Sequence, residues 1–105
     1  MTTEPSRIDA RLAAARAGLR RVAPEHLARE VAAGALLVDL RPEADRWRDG
    51  ELPGAVVVER IHLEWRLDRT SGAALPGFDD DHRVVILVCN EGYASSLAAD
   101  DLRRL

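Results

Sequence analysis

The sequence predicts an α/β fold: a small parallel sheet with helices on both faces. Two observations carry this. Three short apolar runs, at residues 36–40, 55–58 and 84–88, are continuous rather than alternating, as strands buried on both faces are. Segments with helical spacing or helix-start signals lie before, between and after them, the order of strand–helix units with parallel strands. At 105 residues the chain suits one small domain, and with aromatics at 4% its core is to be built from small aliphatic side chains.

Residues 6–21 read as a helix. Ser6 is placed to cap it, with Asp9 three residues on. Ile8, Leu12, Ala15 and Leu19 recur at helical spacing. Arg7, Arg11 and Arg16 lie on the other face, with Arg20 and Arg21 at the end. The plain reading of these arginines is a solvated face that complements the helix dipole. The sharper one is a basic arm for an acidic partner. This gives an arm at 1–21 and a domain at 22–105.

Residues 21–23 read as a short strand. Pro24 suits the first turn of a second helix, which runs to about Ala33 and stops at Gly34. Residues 36–40 form the first apolar strand, broken by Arg41-Pro42, and residues 43–48 give one or two helical turns. Asp49-Gly50 and Pro53-Gly54 are turn signals before the strand at 55–58. Residues 62–67 read as a short helix, with Trp65 as a core residue, and residues 68–81 as a surface loop. Residues 84–88 are the strongest strand signal. A loop follows from Cys89, and then a helix over 95–105 made of Ala and Leu with acidic residues inside it.

Composition excludes several chemistries. All 15 basic residues are arginine, so there is no Walker-type lysine, Schiff base or lysine general base. A net charge of -3 gives no footprint for nucleic acid. One cysteine rules out an intramolecular disulfide framework and a multi-cysteine zinc site. His26, His62 and His82 lack ligand spacing and are expected at the surface, so no metal site is expected. The N-terminus lacks the apolar core of a signal peptide, and no apolar run approaches the roughly 18 residues of a membrane span. A cytoplasmic protein away from membranes is expected.

In a parallel α/β sheet, ligands bind beyond the carboxyl ends of the strands. Three such ends carry Asp39 with Arg41, Glu59 with Arg60, and Cys89. A strand, a tight loop and a helix N-terminus form a cradle of backbone N–H groups, which lowers the pKa of a thiol at its base. Gly92 permits the bend, and Ser95 or Ser96 can cap the helix or donate to an anion. The competing reading of Cys89 is a buried small hydrophobe.

Two motifs carry a family resemblance. Leu37-Val38-Asp39-Leu40-Arg41-Pro42-Glu43, followed by Asp49-Gly50-Glu51-Leu52-Pro53-Gly54-Ala55, resembles the first signature of rhodanese-like domains. Val88-Cys89-Asn90-Glu91-Gly92-Tyr93-Ala94-Ser95 resembles their cysteine loop. The similarity spans about residues 22–105. It implies a rhodanese-like fold, with Cys89 as a nucleophile that carries sulfane sulfur as a persulfide. It also implies that residues 90–94 wrap the sulfur, with Asn90, Glu91, Gly92, Tyr93, Ala94 and Ser95 as substrate contacts. The implied partners are a small sulfane-sulfur donor and a thiol or cyanide acceptor, with no metal or organic cofactor. The alternative is a weak or inactive module for protein binding or redox sensing.

The loop departs from its relatives. Asn90 and Ala94 stand where arginine or lysine is often found, Glu91 adds a negative charge, and Glu51 replaces a histidine of the first signature. A like charge raises a thiol pKa and repels an anionic donor. Arg41, Arg60 and Arg66 are the arginines expected to compensate by reaching the donor's anionic group. For Arg41 the plainer role is a pair with a nearby carboxylate such as Glu43 or Asp45, and Asp39 is read as an organiser of loops. The loop length is that of sulfurtransferases; the family's phosphatase relatives have one residue more. The family also continues past the cysteine-loop helix with a strand beside the cysteine strand. Without it, the expectation is a rearranged sheet, a homodimer through an unpaired strand edge, or low stability.

Overall fold

The computed structural model describes residues 4–105. Helix α1 spans Arg7–Ala17. The side chain of Ser6 accepts a hydrogen bond from the Asp9 amide at 3.1 Å, the cap its position predicts. The helix ends at Gly18, short of the expected residue 21. A 3₁₀ turn at Pro24–His26 leads into α2, Leu27–Ala32. Strand β1, Leu36–Asp39, is followed by α3, Glu43–Asp49, and by the two-residue strand β2, Val56–Val57. A second 3₁₀ turn at Arg60–His62 runs into α4, Leu63–Arg66. Strand β3, Val85–Val88, and α5, Tyr93–Arg103, complete the chain.

The three strands form one parallel sheet in the order β2-β1-β3. Register pairs Val38 with Val56 on one side and with Leu87 on the other. Strand β1 is therefore central, and Leu37 and Val38 are buried. The core gathers Val38, Leu40, Val58, Leu63, Leu67, Leu75 and Ala98, with Leu87 and Leu102 packed against it. Helix α5 lies on β3, and α1 lies on α5.

Three expectations are corrected. Residues 21–23 form no strand, because no strand lies beside them among the described residues. Trp65 is 58% exposed rather than core; the short α4 turns Leu63 inward and leaves its neighbour in solvent. The arginine face of α1 is not wholly solvated. Arg11 reaches buried Asp100 at 3.2 Å, and Arg16 bonds to Ser96 and Gly92, so this face packs on α5 while Ile8 is exposed. The three histidines are at the surface, as expected.

Beyond β3 no strand is paired among the described residues. Hydrogen bonds from the Leu36 amide to the Val84 carbonyl and from Leu40 to Val88 show that the even-numbered residues of β3 bond to β1. Alternation in a parallel ladder then turns the backbone groups of Val85 and Leu87 toward the open edge.

Candidate active site

Cys89 follows β3 directly and is half-buried at the mouth of α5. Gly92 has φ 78° and ψ 1°, a left-handed conformation that glycine adopts without steric cost. That bend aims the Gly92 amide at the Cys89 sulfur, 3.1 Å away. The Ser95 amide also points at the sulfur at 3.4 Å, and the Ser95 hydroxyl lies 3.1 Å from it. Burial pushes the thiol up, but the Ser95 hydroxyl and the amides of Ser95, Gly92 and Glu91 outweigh it. The net direction is below the ordinary thiol value.

The side chains of Asn90, Glu91, Tyr93 and Ala94 are exposed, so the loop offers the sulfur its backbone rather than these side chains. Asn90 is tied to Asp45 of α3, which anchors the start of the loop. Buried Ser96 donates to the Gly92 carbonyl at 2.6 Å and holds the bend.

The expected arginines are placed differently from one another. Arg41 is locked on Asp39, with its Nε and a terminal nitrogen at 3.1 and 2.9 Å from the carboxylate, and it also donates to the Gly50 carbonyl. Its carboxylate partner is thus Asp39 rather than Glu43 or Asp45. Burial pushes the Asp39 carboxyl up, yet the hydrogen bonds from Arg41 hold it below the usual range. Arg60 pairs with Glu64 and Asp101, and Arg66 donates to the Ala73 carbonyl. Arg41 lines a cavity with Cys89; Arg60 and Arg66 do not.

Two cavities meet at Cys89. One, of about 310 Å³, lies between Arg41, Glu51 and Asn90. The other is a groove of about 1110 Å³ along the open edge of β3, with Arg21, Val85, Leu87 and Ser95 among its walls. Sequence reasoning missed that α1 and the segment after it reach the cysteine loop. Arg16 donates to the Gly92 carbonyl and to Ser96, both at 3.2 Å, and lies 5.7 Å from the centre of the Tyr93 ring. The available signal was charge complementarity, arginines on the first helix against Asp100 and Asp101 on the last. Among the described residues no group of three His, Cys, Asp or Glu side chains converges as a metal site. No helix among them is long and apolar enough to cross a membrane.

The site is thus a half-buried cysteine between a parallel strand and a helix N-terminus of an α/β protein, with backbone amides turned on its sulfur. Residues 23–105 match the family model described as rhodanese-like domain, and the chain belongs to that family. A comparison with curated proteins finds no match. Among solved structures, a protein of unknown function from Rhodopseudomonas palustris CGA009, described as a possible tyrosine phosphatase, is similar at a TM-score of 0.79 and 29% identity. The similarity covers 99% of this chain and 81% of that one.

Proposed function

We propose that the protein is a sulfurtransferase in which Cys89 carries sulfane sulfur as a persulfide. The observation that carries this reading is the aim of the Gly92 and Ser95 amides at the Cys89 sulfur, at 3.1 and 3.4 Å. A cradle of N–H donors stabilises a thiolate before reaction and the terminal sulfur of a persulfide after it. In the first step the Cys89 thiolate attacks the sulfane sulfur of a donor such as thiosulfate. A bond forms between the two sulfurs, the donor's own S–S bond breaks, and sulfite leaves with the electron pair. In the second step an acceptor thiolate or cyanide takes the outer sulfur, and the Cys89 thiolate departs with the electrons of the broken bond.

Neither the absence of loop cations nor the exposed Glu91 removes the backbone donors. They do weaken the attraction for an anionic donor, and the similar structure's description raises phosphate-ester hydrolysis as a second activity to measure. Intact-mass spectrometry of the reduced protein after thiosulfate, and separately after 3-mercaptopyruvate, tests the reading. Addition of one sulfur atom, reversed by reductant and absent in Cys89→Ser, is expected. No addition from either donor on folded protein would move the reading to a module for protein binding or redox sensing. Cys89-dependent hydrolysis of p-nitrophenyl phosphate without sulfur loading would replace it with a phosphatase.

A further inference from the structure

We propose that Arg21, on the segment that follows α1, recognises the anionic end of the molecule that reacts at Cys89. The reactant is thereby an oxyanion, a sulfonate or a carboxylate, held in the groove that Arg21 and Cys89 share. This inference rests on the sulfurtransferase reading for its substrate, though not for its geometry.

Arg21 and Cys89 line the same groove. A Cβ added to Gly92 would stand 3.3 Å from a terminal nitrogen of Arg21. Since the Gly92 amide is itself 3.1 Å from the sulfur, bond lengths place the guanidinium within roughly 10 Å of that sulfur. A small oxyanion can bridge a separation up to that limit. The guanidinium is also near enough for its charge to act through a partly shielded groove.

The neighbouring arginines are engaged elsewhere. Arg16 holds the Gly92 carbonyl and Ser96, Arg20 pairs with Glu30, Arg41 with Asp39 and Arg103 with Asp100. Arg21 makes no hydrogen bond or ion pair among the described residues and is exposed. Its planar fork of donors is free for a two-point contact with a sulfonate or carboxylate. When thiosulfate reacts, the electron pair of the breaking S–S bond goes to the departing sulfite. A cation at the sulfonate oxygens stabilises that charge as it grows. Arg21 thus supplies from outside the loop the positive charge that Asn90 and Ala94 do not. Arg16 acts differently, as a positioning residue for the Gly92 bend.

The test uses the full chain with Arg21→Gln, Arg21→Lys and, as a control for net charge, Arg7→Gln. Cys89 is alkylated with iodoacetate, which is anionic, and with iodoacetamide, which is neutral, and the ratio of the two rates is taken. This ratio does not depend on sulfur transfer, and thiol reactivity itself cancels from it. Arg21→Gln is expected to lower the ratio about tenfold, the scale of one charge-assisted contact. Arg21→Lys recovers part of the loss, and Arg7→Gln leaves the ratio unchanged. Steady-state assays then show KM for thiosulfate or 3-mercaptopyruvate raised in Arg21→Gln, the affected donor identifying the favoured headgroup. An unchanged alkylation ratio in Arg21→Gln overturns the proposal. A fall in the ratio, on a protein that neither donor loads with sulfur, supports Arg21 as the anion site and sinks the sulfurtransferase reading instead.

Discussion

Gly92 donates its backbone N–H to the sulfur of Cys89, three residues earlier, at 3.1 Å. The contact exists because Gly92 is left-handed, at φ 78°. An L side chain there costs about 1–2 kcal/mol. The Cβ of an alanine would also press on the Arg21 guanidinium at 3.3 Å, although that flexible end can shift. Gly92→Ala is therefore expected to lower the melting temperature by several degrees, at about 4–8 °C per kcal/mol for a domain of this size. It is also expected to slow alkylation of Cys89 at neutral pH. Scanning calorimetry and a thiol-trapping assay on the same sample check both effects; a variant as stable and as reactive as the parent would contradict the account of the loop.

Ser95 is the largest single contributor holding the Cys89 thiol below its ordinary value. Removing its hydroxyl in Ser95→Ala leaves burial less opposed, so the thiol pKa moves up. The pH profile of iodoacetamide reaction should shift to higher pH, with the rate at pH 7 falling about tenfold. That factor corresponds to one hydrogen bond to a charged group, about 1.5–3 kcal/mol, partly replaced by water. The backbone amides remain in place, so the shift should be smaller than complete loss of the cradle would give.

Asp39 and Arg41 form a half-enclosed pair that ties the end of β1 to the turn at Gly50. Asp39→Asn leaves the Arg41 guanidinium without its counter-charge and is expected to cost about 3 kcal/mol, within the range for breaking a buried pair. The pH dependence has a definite sign. The Asp39 carboxyl is held low in the folded state, so its contribution is complete above the unfolded value of about 3.9. It is lost as pH falls through that value toward the folded one. Urea midpoints of the parent should therefore fall between pH 5 and pH 3, and Asp39→Asn should lose part of that slope. Asp100, also held low by Arg103, contributes in the same direction.

The open edge of β3 predicts an alternating pattern of amide exchange. Ile86 and Val88 turn their amides to β1, whereas Val85 and Leu87 turn theirs outward. In the monomer the first two should exchange slowly and the second two fast. A second copy pairing along this edge would slow the outward amides and double the mass seen by light scattering. Slow exchange at Val85 and Leu87 in a monodisperse monomer would mean that the edge is covered from within the chain.

Much of the fold was legible where local chemistry decides it. The run before Cys89 is apolar and β-branched, Gly92 allows the bend, and Ser6 has a donor to accept from three residues on. The three strands and the position of the cysteine follow from such signals. What could not be read lies at long range. Nothing local says that Arg16 turns to Gly92, or that Arg60 spends its charge on Glu64 and Asp101. Residues 21–23 read as a strand from their local sequence, but becoming one also needs a neighbour. Trp65 shows the limit of composition, since a large apolar ring on a four-residue helix goes where the helix face sends it.

The contact between Arg16 and Ser96 spans 80 positions of a 105-residue chain. Loops of that length close late, because their entropy is recovered only after the strands between them have paired. During synthesis Arg16 leaves the ribosome long before Ser96 exists. Reactivity at Cys89 is then a clock for folding: a thiol probe added during refolding should report the final docking of the first helix on the last, rather than the earlier formation of the sheet.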